Sequence, residues 1–256
     1  MRQKIVTRCI AFLLLLCVLL SAVSCIAEGE RQSTRGEPTG TKPEPQQTEQ
    51  PPTPTPTRKR VALTFDDGPY RPVTNQILDV LKKYDSRATF FVVGSRVSTY
   101  SDCVKRAVSL NCEIGNHTYN HTTLTSVSDA RVRMEIADAN AAIRRYAGAG
   151  ASLVRAPGGS VNGRVLSLVP YPFINWSVDT LDWSHRSTSK TVQRIKENVS
   201  DGSIVLMHDL YYSTGDATKI IVPWLVKRGY QLVTVSEMME YKGIRLKPGS
   251  VYTQAR

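Results

Sequence analysis

Carboxylates and imidazoles that could carry out hydrolytic chemistry stand in two short stretches of this sequence. Asp66 and Asp67 are adjacent and are followed directly by a Gly-Pro pair. His117 and His121 are two of only four histidines in the chain. Their i, i+4 spacing would place both imidazoles on one face of a helical turn. Two imidazoles at this spacing can bind one zinc ion, although the spacing alone is weak evidence.

The two aspartates can supply the third metal ligand and the general base that the histidine pair lacks. A catalytic zinc site needs three protein ligands and one open position. Thr118 follows His117 where a zinc protease would have Glu, so that pattern is absent. One carboxylate can be the third ligand, and the other can remain unligated as the general base for water. Because adjacent strand residues point to opposite faces, both can serve one site only if the chain bends, and the Gly-Pro pair favours a bend. A turn-capping role for the two aspartates is the alternative.

The elements that would position these residues alternate along residues 58–256. Strand-like apolar runs are separated by helical periodicity, as in residues 73–85, 130–148 and 188–202. This alternation predicts an α/β domain with a parallel sheet, either open and doubly wound or closed as a barrel. The predicted strands are Arg60–Asp67, Ala88–Gly94, Glu113–His117, Leu153–Pro157, Pro172–Asp179, Ser203–Asp209 and Tyr230–Val235.

Polar residues recur at the carboxyl ends of these predicted strands. In both parallel architectures functional residues gather at that edge. Their recurrence at five strand ends therefore predicts a single shared site. The residues concerned are Asp66, Asp67, His117, Arg155, Asp179 and His208.

Five motifs give the chain a resemblance to a known family. TFDDGP, HTYNH, RAPGG, DTLDW and LMHD resemble, in order and spacing, the motifs of the polysaccharide deacetylases, carbohydrate esterase family 4. The resemblance covers about residues 60–240. It implies a distorted seven-stranded (β/α) barrel of parallel strands that forms a single catalytic domain. It also implies hydrolytic removal of acetyl groups from N-acetylated sugars with a divalent metal, usually zinc, with cobalt or another transition metal as the alternative.

The resemblance further implies a role for each matching residue. Asp66 is similar to the general base, and Arg155 is similar to the arginine that holds the base carboxylate. His208 is similar to the general acid that protonates the leaving amine, and Asp179 to the aspartate paired with that histidine. The implied metal ligands are Asp67, His117 and His121.

Three more residues match the walls of the family's acetyl pocket. Trp183 and Leu206 resemble its apolar walls, and the backbone N–H of Gly158 corresponds to the one that assists the oxyanion. The family usually has Tyr or Phe where this chain has Gly158. The N–H is retained but an aromatic wall is missing, so we expect either a wider cleft or a wall supplied by Tyr211 or Tyr212.

The segments before the domain have a different composition. Residues 1–25 predict a signal peptide, with a basic start, a short apolar core and the small residues that precede Cys25. The position of Cys25 resembles a bacterial lipoprotein box and predicts lipidation there, with simple cleavage and release, or an uncleaved anchor helix, as the alternatives. Residues 26–57 are rich in Pro and Thr and predict a disordered linker. The deacetylase domain is expected over 58–250.

The net charge of the domain and the predicted export together limit the kinds of molecule that the protein is expected to bind. Residues 58–256 hold 27 basic and 17 acidic residues, which favours an anionic neighbourhood such as cell-wall polymer or membrane headgroups. Export argues against nucleic acid. We expect an extracytoplasmic bacterial monomer, lipid-anchored or secreted, that deacetylates peptidoglycan N-acetylglucosamine. Chitin oligomers or acetyl xylan are alternative substrates, and a non-catalytic glycan-binding lipoprotein is the alternative function.

Four residues are expected to have structural roles. Cys103 and Cys112 lie in a helix that runs into a strand, which separates them by about 12 Å. This exceeds the Cα distance of ~7 Å that a disulfide tolerates, so we expect two buried thiols. His185 is expected in a solvated loop, and Trp176 is expected in the core.

Overall fold

The computed structural model describes residues 58–256, in which parallel strands alternate with helices. The strands are β1 (Arg60–Asp66), β2 (Thr89–Val92), β3 (Glu113–Asn116), β4 (Phe173–Ile174), β5 (Val178–Asp179), β6 (Ser203–His208), β7 (Gln231–Leu232) and β8 (Val251–Tyr252). The helices are α1 (Arg71–Lys83), α2 (Gly94–Val97), α3 (Ser101–Ser109), α4 (Asp129–Ala147), α5 (Gly163–Leu168), α6 (Asp182–His185), α7 (Thr188–Asn198), α8 (Tyr212–Lys227) and α9 (Val235–Tyr241).

The main sheet is parallel and has β1 near its centre. Its strands lie in the order β3-β2-β1-β6-β5, and β7 pairs with the beginning of β1. Single bridges continue the hydrogen bonding from Asn116 to Val154 and from Val154 to Phe173 in β4. β8 pairs with β4, and an antiparallel bridge joins Gln254 to Ser203 in β6. The strands are therefore arranged as an irregular, incompletely closed barrel, which confirms the predicted α/β fold.

The residues after 250, where the predicted domain ends, also belong to this arrangement. β8 lies beyond that boundary, and Ala255 donates a backbone hydrogen bond to the carbonyl of Gly202 at 2.8 Å. Ala255 itself is fully buried. The chain therefore contributes to the folded unit almost to its last residue.

The sequence of β1 is a nearly continuous apolar run because this strand lies in the core of the domain. Every residue of β1 after Arg60 is buried, as expected for a parallel strand covered on both faces. The helix α4 begins at an N-cap, Ser128, and ends at Gly148, whose φ of 84° is the left-handed geometry typical of glycine caps. Apolar residues on one face of α4 pack inward, and two polar residues, Glu135 and Asn140, lie on the same buried face.

Two predicted strands are interrupted in the structure. Residues 153–157 form a single bridge at Val154 rather than a strand, because the segment turns at Pro157 into a short 3₁₀ turn. Residues 172–179 divide into β4 and β5, which pair with different neighbours, β8 and β6. Both interruptions lie beside the candidate site.

Other sequence predictions can be compared with the described residues. Cys103 and Cys112 are both buried free thiols, as predicted, and burial raises the pKa of each to about 11. His185 was expected in a solvated loop, but it is the last residue of α6 and is partly buried. Its Nε2 lies 3.0 Å from the Thr180 carbonyl oxygen, and its Nδ1 accepts a hydrogen bond from the Ser187 N–H at 3.1 Å. Among residues 58–256, no helix combines the length and apolar character needed to cross a membrane. The predicted signal peptide, Cys25 and the linker lie outside the described residues.

Candidate active site

The two adjacent aspartates lie where β1 ends and the chain bends. Asp66 is the last residue of β1, and Asp67 has a φ of 72°, which takes the backbone out of the strand. Gly68 is needed immediately afterwards, because a Cβ there would lie 2.1 Å from a carboxylate oxygen of Asp209. The bend expected from the Gly-Pro pair is therefore present, and both carboxylates line the same cleft.

Asp67, His117 and His121 converge on one point. The Nε2 atoms of His117 and His121 lie 3.3 and 3.1 Å from Oδ1 of Asp67. One potential ligand atom from each residue lies within 4.8 Å of the other two. His117 is almost fully buried and His121 is about half exposed, so the cluster lies at the inner end of an open cleft. The structure thus brings together the three residues predicted to bind a metal.

The segment that carries the two histidines is a loop and not the predicted helical turn. His117 follows β3 directly, and both Thr118 and His121 have left-handed backbone angles, with φ of 65° and 58°. The side chain of Asn116 accepts a hydrogen bond from the Thr118 N–H at 2.8 Å, and this closes the tight turn. The i, i+4 spacing brings the imidazoles together through this turn, with their ring centroids 5.0 Å apart.

Glu135 holds the outer part of this loop from α4. Its Oε2 accepts hydrogen bonds from the N–H groups of Tyr119 and Asn120, both at 2.8 Å. Its Oε1 accepts from the Thr122 hydroxyl at 2.8 Å and from Arg131 at 2.6 Å. Burial raises the pKa of Glu135, but these hydrogen bonds outweigh it and leave the pKa below its usual value. Glu135 is 1% exposed. It was not among the predicted site residues, although a carboxylate on the apolar face of a predicted helix indicates a buried polar role.

The backbone of Arg155 fixes the orientation of His117. Nδ1 of His117 lies 2.8 Å from the Arg155 carbonyl oxygen. A carbonyl can only accept, so Nδ1 donates its proton to it, and Nε2 is the ring nitrogen that faces Asp67. This arrangement, in which a ligand histidine donates its other N–H to a carbonyl, is typical of metal sites.

The donor set fits a divalent transition metal. Oδ1 of Asp67 is buried and has no hydrogen-bond partner among the described residues. Burial raises the pKa of Asp67, but the two neighbouring imidazoles outweigh burial and hold it well below its usual range. A cation bound between this oxygen and the two Nε2 atoms would stabilise the ionised carboxylate. Two imidazoles and one carboxylate are ligands that suit zinc or cobalt.

Asp66 is held by a fully buried arginine. Nη1 of Arg155 donates to Oδ1 of Asp66 at 2.7 Å and to the Thr64 hydroxyl at 2.8 Å. The rest of the guanidinium donates to the carbonyls of Ile174 and Asn175. Because all three guanidinium nitrogens are hydrogen-bonded, the side chain of Arg155 has one orientation and fixes one oxygen of Asp66. The other oxygen, Oδ2, lies 3.8 Å from Nε2 of His117.

His208 ends β6 directly beside Asp66. The parallel register pairs Asp66 with His208, so the carboxylate and the imidazole come from matching positions on neighbouring strands. Nδ1 of His208 donates to Oδ1 of Asp182 at 2.8 Å, and the His208 backbone N–H donates to Oδ2 of the same residue. This bond leaves Nε2 of His208 available at the cleft.

The predicted pairing of Asp179 with His208 is wrong. The partner is Asp182, the second aspartate of the DTLDW motif, which begins α6 and is fully buried. Asp179 instead uses Oδ1 to accept the Leu181 N–H at 2.8 Å in the intervening turn, and it lines the cleft. A motif with two aspartates three residues apart does not by itself indicate which one the turn directs toward β6.

Asp182 also sets the protonation of His208. Burial lowers the pKa of His208, but the hydrogen bond and charge of Asp182, with smaller contributions from Asp66 and Asp67, raise the pKa to about 9. Asp182 is itself stabilised by the Thr214 hydroxyl, which donates at 2.6 Å. The imidazole is therefore held in its protonated form at neutral pH.

These side chains line one cleft of ≈ 440 Å³. Its walls include Gly158, Trp183 and Leu206, which were predicted there, together with Trp176 and Tyr211. Trp176, expected in the core, borders the cleft, and Tyr211 does so as one of the two tyrosines considered for this wall. Trp183 is 50% exposed, whereas Leu206 is buried. The lining residues are Asp66, Asp67, His117, His121, Gly158, Trp176, Asp179, Trp183, Leu206, His208 and Tyr211.

Gly158 leaves one side of the cleft open. Its φ of 64° is left-handed, a conformation that glycine adopts without strain. A Cβ at this position would have no atom within 4 Å, so neighbouring residues do not fill the space that a side chain would occupy. Gly159, by contrast, lies against Trp176, where a Cβ would approach within 2.9 Å. The expected wider cleft is consistent with this geometry.

Comparison with known proteins gives consistent matches. The family model described as polysaccharide deacetylase matches residues 53–170. The chain is 42% identical over 187 residues to the peptidoglycan-N-acetylmuramic acid deacetylase PdaC of Bacillus subtilis, covering 73% of this chain and 40% of that protein. It is 37% identical over 192 residues to a peptidoglycan-N-acetylglucosamine deacetylase of Bacillus cereus, covering 72% of this chain and 90% of that protein. This chain therefore spans less than half the length of PdaC.

A solved structure also matches most of the described residues. A family 4 acetyl xylan esterase from Clostridium thermocellum, solved in complex with a cobalt ion, superposes with a TM-score of 0.73 and 35% sequence identity. The match covers 77% of this chain and 98% of that one.

Proposed function

The chain belongs to the polysaccharide deacetylase family, carbohydrate esterase family 4, and from this membership we propose that it removes acetyl groups from the N-acetylated sugars of a cell-wall glycan. The observation that carries the proposal is the convergence in one cleft of a three-residue metal cluster, an arginine-bound carboxylate and a protonated imidazole. These are the groups that hydrolysis of an unactivated amide requires.

Asp67, His117 and His121 would hold the metal, for which zinc is the first candidate and cobalt the second. When bound, the metal polarises the acetyl carbonyl and makes water more acidic. The three side chains are preorganised for this role, since His117 is oriented by the Arg155 carbonyl and the His121 loop is held by Glu135.

Asp66 is the proposed general base. Arg155 fixes one of its oxygens, which keeps the carboxylate in a single orientation and compensates its charge in a buried site. In this role Asp66 accepts a proton from the water that attacks the acetyl carbonyl.

His208 is the proposed general acid. Departure of an amine requires a proton on nitrogen. Asp182 raises the pKa of His208 to about 9, so the imidazole carries that proton at neutral pH. Because Nδ1 is bound to Asp182, the transferable proton is on Nε2. The Gly158 N–H would stabilise the developing oxyanion, and Leu206 with Trp183 would enclose the acetyl methyl group.

Peptidoglycan N-acetylglucosamine is the proposed first substrate. The support is the predicted export, the excess of basic residues in the domain and the substrates in the names of two relatives, one an N-acetylglucosamine and the other an N-acetylmuramic acid deacetylase. The protein would act outside the cytoplasmic membrane as a monomer, either anchored through a lipid on Cys25 or released.

Acetate release tests the proposal. The metal-loaded protein is assayed on purified peptidoglycan, chitin oligomers and acetyl xylan, before and after chelation and after zinc or cobalt is restored. We expect release from peptidoglycan that is lost on chelation and regained with metal. No release from any glycan at full metal occupancy would instead indicate a glycan-binding protein.

Two variants separate the proposed roles within the cluster. Asp67→Asn should lose metal because an amide oxygen is a poorer ligand, whereas Asp66→Asn should retain metal and lose turnover. Asp138→Asn, on the exposed face of α4, is the matched control and should change neither property. Retained turnover in Asp66→Asn would contradict its role as the base.

A further inference from the structure

Arg186 presents a fixed positive charge at the rim of the cleft. It follows α6 with a left-handed φ of 49°, and its backbone N–H donates to the Asp182 carbonyl. Its Nε donates to the Trp183 carbonyl at 2.7 Å, and the guanidinium carbon lies 3.5 Å from the centroid of the Tyr211 ring. An exposed arginine side chain is therefore held in one place by a hydrogen bond and by cation–π stacking.

This geometry leaves the outer edge of the guanidinium unused. Stacking on Tyr211 uses the flat face, and the Trp183 carbonyl uses Nε. Within residues 58–256, neither terminal nitrogen of Arg186 makes a hydrogen bond and no carboxylate forms an ion pair with it. The terminal nitrogens of arginine match the two oxygens of a carboxylate.

The position of Arg186 connects it to the reacting groups. Its two neighbours, Trp183 and Tyr211, both line the cleft, and the Tyr211 ring centroid lies 6.0 Å from that of His208. One aromatic ring thus separates the guanidinium from the proposed acid. A sugar bound in the cleft would meet Arg186 at its edge, and the open space at Gly158 leaves room for a bulky substituent on that sugar.

We propose that Arg186 binds a carboxylate of the substrate glycan, on the sugar that is deacetylated or on its neighbour. This inference rests on the proposed function. Binding by Arg186 would make the protein prefer glycans with a free carboxylate over neutral polymers of N-acetylglucosamine. An example is a peptide-free strand in which muramic acid carries its lactyl group. Where a peptide is attached, the lactyl carboxylate is an amide and offers no charge to Arg186.

Three substrates and three variants test this assignment. The substrates are a peptide-free muramic acid-containing strand, the same strand with its carboxylates converted to methylamides, and a chitin oligomer of equal length. Arg186→Gln removes the charge, Arg186→Lys retains charge without the planar fork, and Lys190→Gln removes an exposed charge from α7 outside the cleft lining.

We expect Arg186→Gln to reduce kcat/KM on the anionic strand about tenfold, mainly through KM, and to change the other two substrates less than twofold. Arg186→Lys should recover part of the loss, and Lys190→Gln should match wild type. The preference of the wild type for the anionic strand should weaken at high salt. Equal losses on all three substrates would show that Arg186 only supports Tyr211, which would overturn the proposal.

Equilibrium binding separates this inference from the proposed function. The three glycans are titrated into wild type and Arg186→Gln, each carrying Asp66→Asn so that turnover is suppressed. Tighter binding of the anionic strand that depends on Arg186 supports the inference even if no glycan releases acetate. Acetate release without any Arg186-dependent difference in binding or rate would refute the inference and leave the proposed function intact.

Discussion

Replacing Glu135 tests whether metal affinity depends on a residue that would not itself contact the metal. Its carboxylate accepts the N–H groups of Tyr119 and Asn120, which lie between the two histidine ligands. Glu135→Ala removes both acceptors. Glu135→Gln keeps one oxygen for these N–H groups but removes the charge and places an NH₂ group at the second position.

The expected cost follows from the bonds that are lost. A hydrogen bond to a charged group contributes about 1.5–3 kcal/mol, and a neutral one contributes about 0.5–1.5 kcal/mol. In Glu135→Gln the two N–H groups of the loop would donate to a neutral oxygen in place of a charged one, which costs about 2 kcal/mol of loop stabilisation. In Glu135→Ala both of these hydrogen bonds are lost, which costs about 3 kcal/mol or more. Each 1.4 kcal/mol expressed in binding is tenfold in affinity. We expect zinc affinity to fall about thirtyfold in the Gln variant and on the order of a hundredfold in the Ala variant.

The assay is competition for zinc with a chromogenic chelator, together with urea unfolding of the metal-free protein. Arg131→Gln is the matched control, because it removes only the ion pair to the other oxygen of Glu135 and Arg131 is 43% exposed. Such a pair contributes about 0.3–0.5 kcal/mol, so the control should bind zinc as wild type does. Zinc affinities within twofold of wild type in both Glu135 variants would refute the reasoning.

Two further predictions concern the proposed acid. Asp182→Asn removes the charge that raises the pKa of His208 to about 9, so the alkaline loss of activity should move to lower pH by on the order of one to two units, measured as kcat/KM against pH. Asp179→Asn removes a charge from the same cleft without contacting His208, and an equal shift in that variant would contradict the assignment. His208→Ala should slow amide hydrolysis by about 10²–10⁴-fold but affect activated acetyl esters far less, since their leaving groups need no proton; equal losses on both would disprove the acid role.

The sequence was sufficient for the parts of the fold and site that depend on local pattern. The continuous apolar run of β1 predicted a buried parallel strand, and the periodicity and Gly148 cap predicted α4 to within one residue at each end. The strand ends at Asp66 and His208 were predicted to meet, and the register pairs them directly. In these cases the local sequence pattern, together with the rule that parallel strands bring their carboxyl ends to one edge, was enough to predict the structure.

The features that the sequence did not predict depend on contacts between segments that are distant along the chain. The HTYNH spacing fits a helical turn, but hydrogen bonds from Asn116 and Glu135 hold a left-handed loop instead. The choice of Asp182 over Asp179 depends on where α6 begins relative to β6. The single bridge at Val154 and the late strand β8 likewise follow from which neighbours are available, which no stretch of sequence specifies alone.

Arg155 joins the two halves of the reaction centre through opposite ends of one residue. Its guanidinium fixes Asp66, while its backbone carbonyl orients His117. A designer who shifts this segment to change the preferred metal would also displace the carboxylate that activates water. The position of a metal ligand and the position of the base therefore cannot be changed independently in this scaffold, and a redesign must treat the turn from Val154 to Pro157 as one adjustable part.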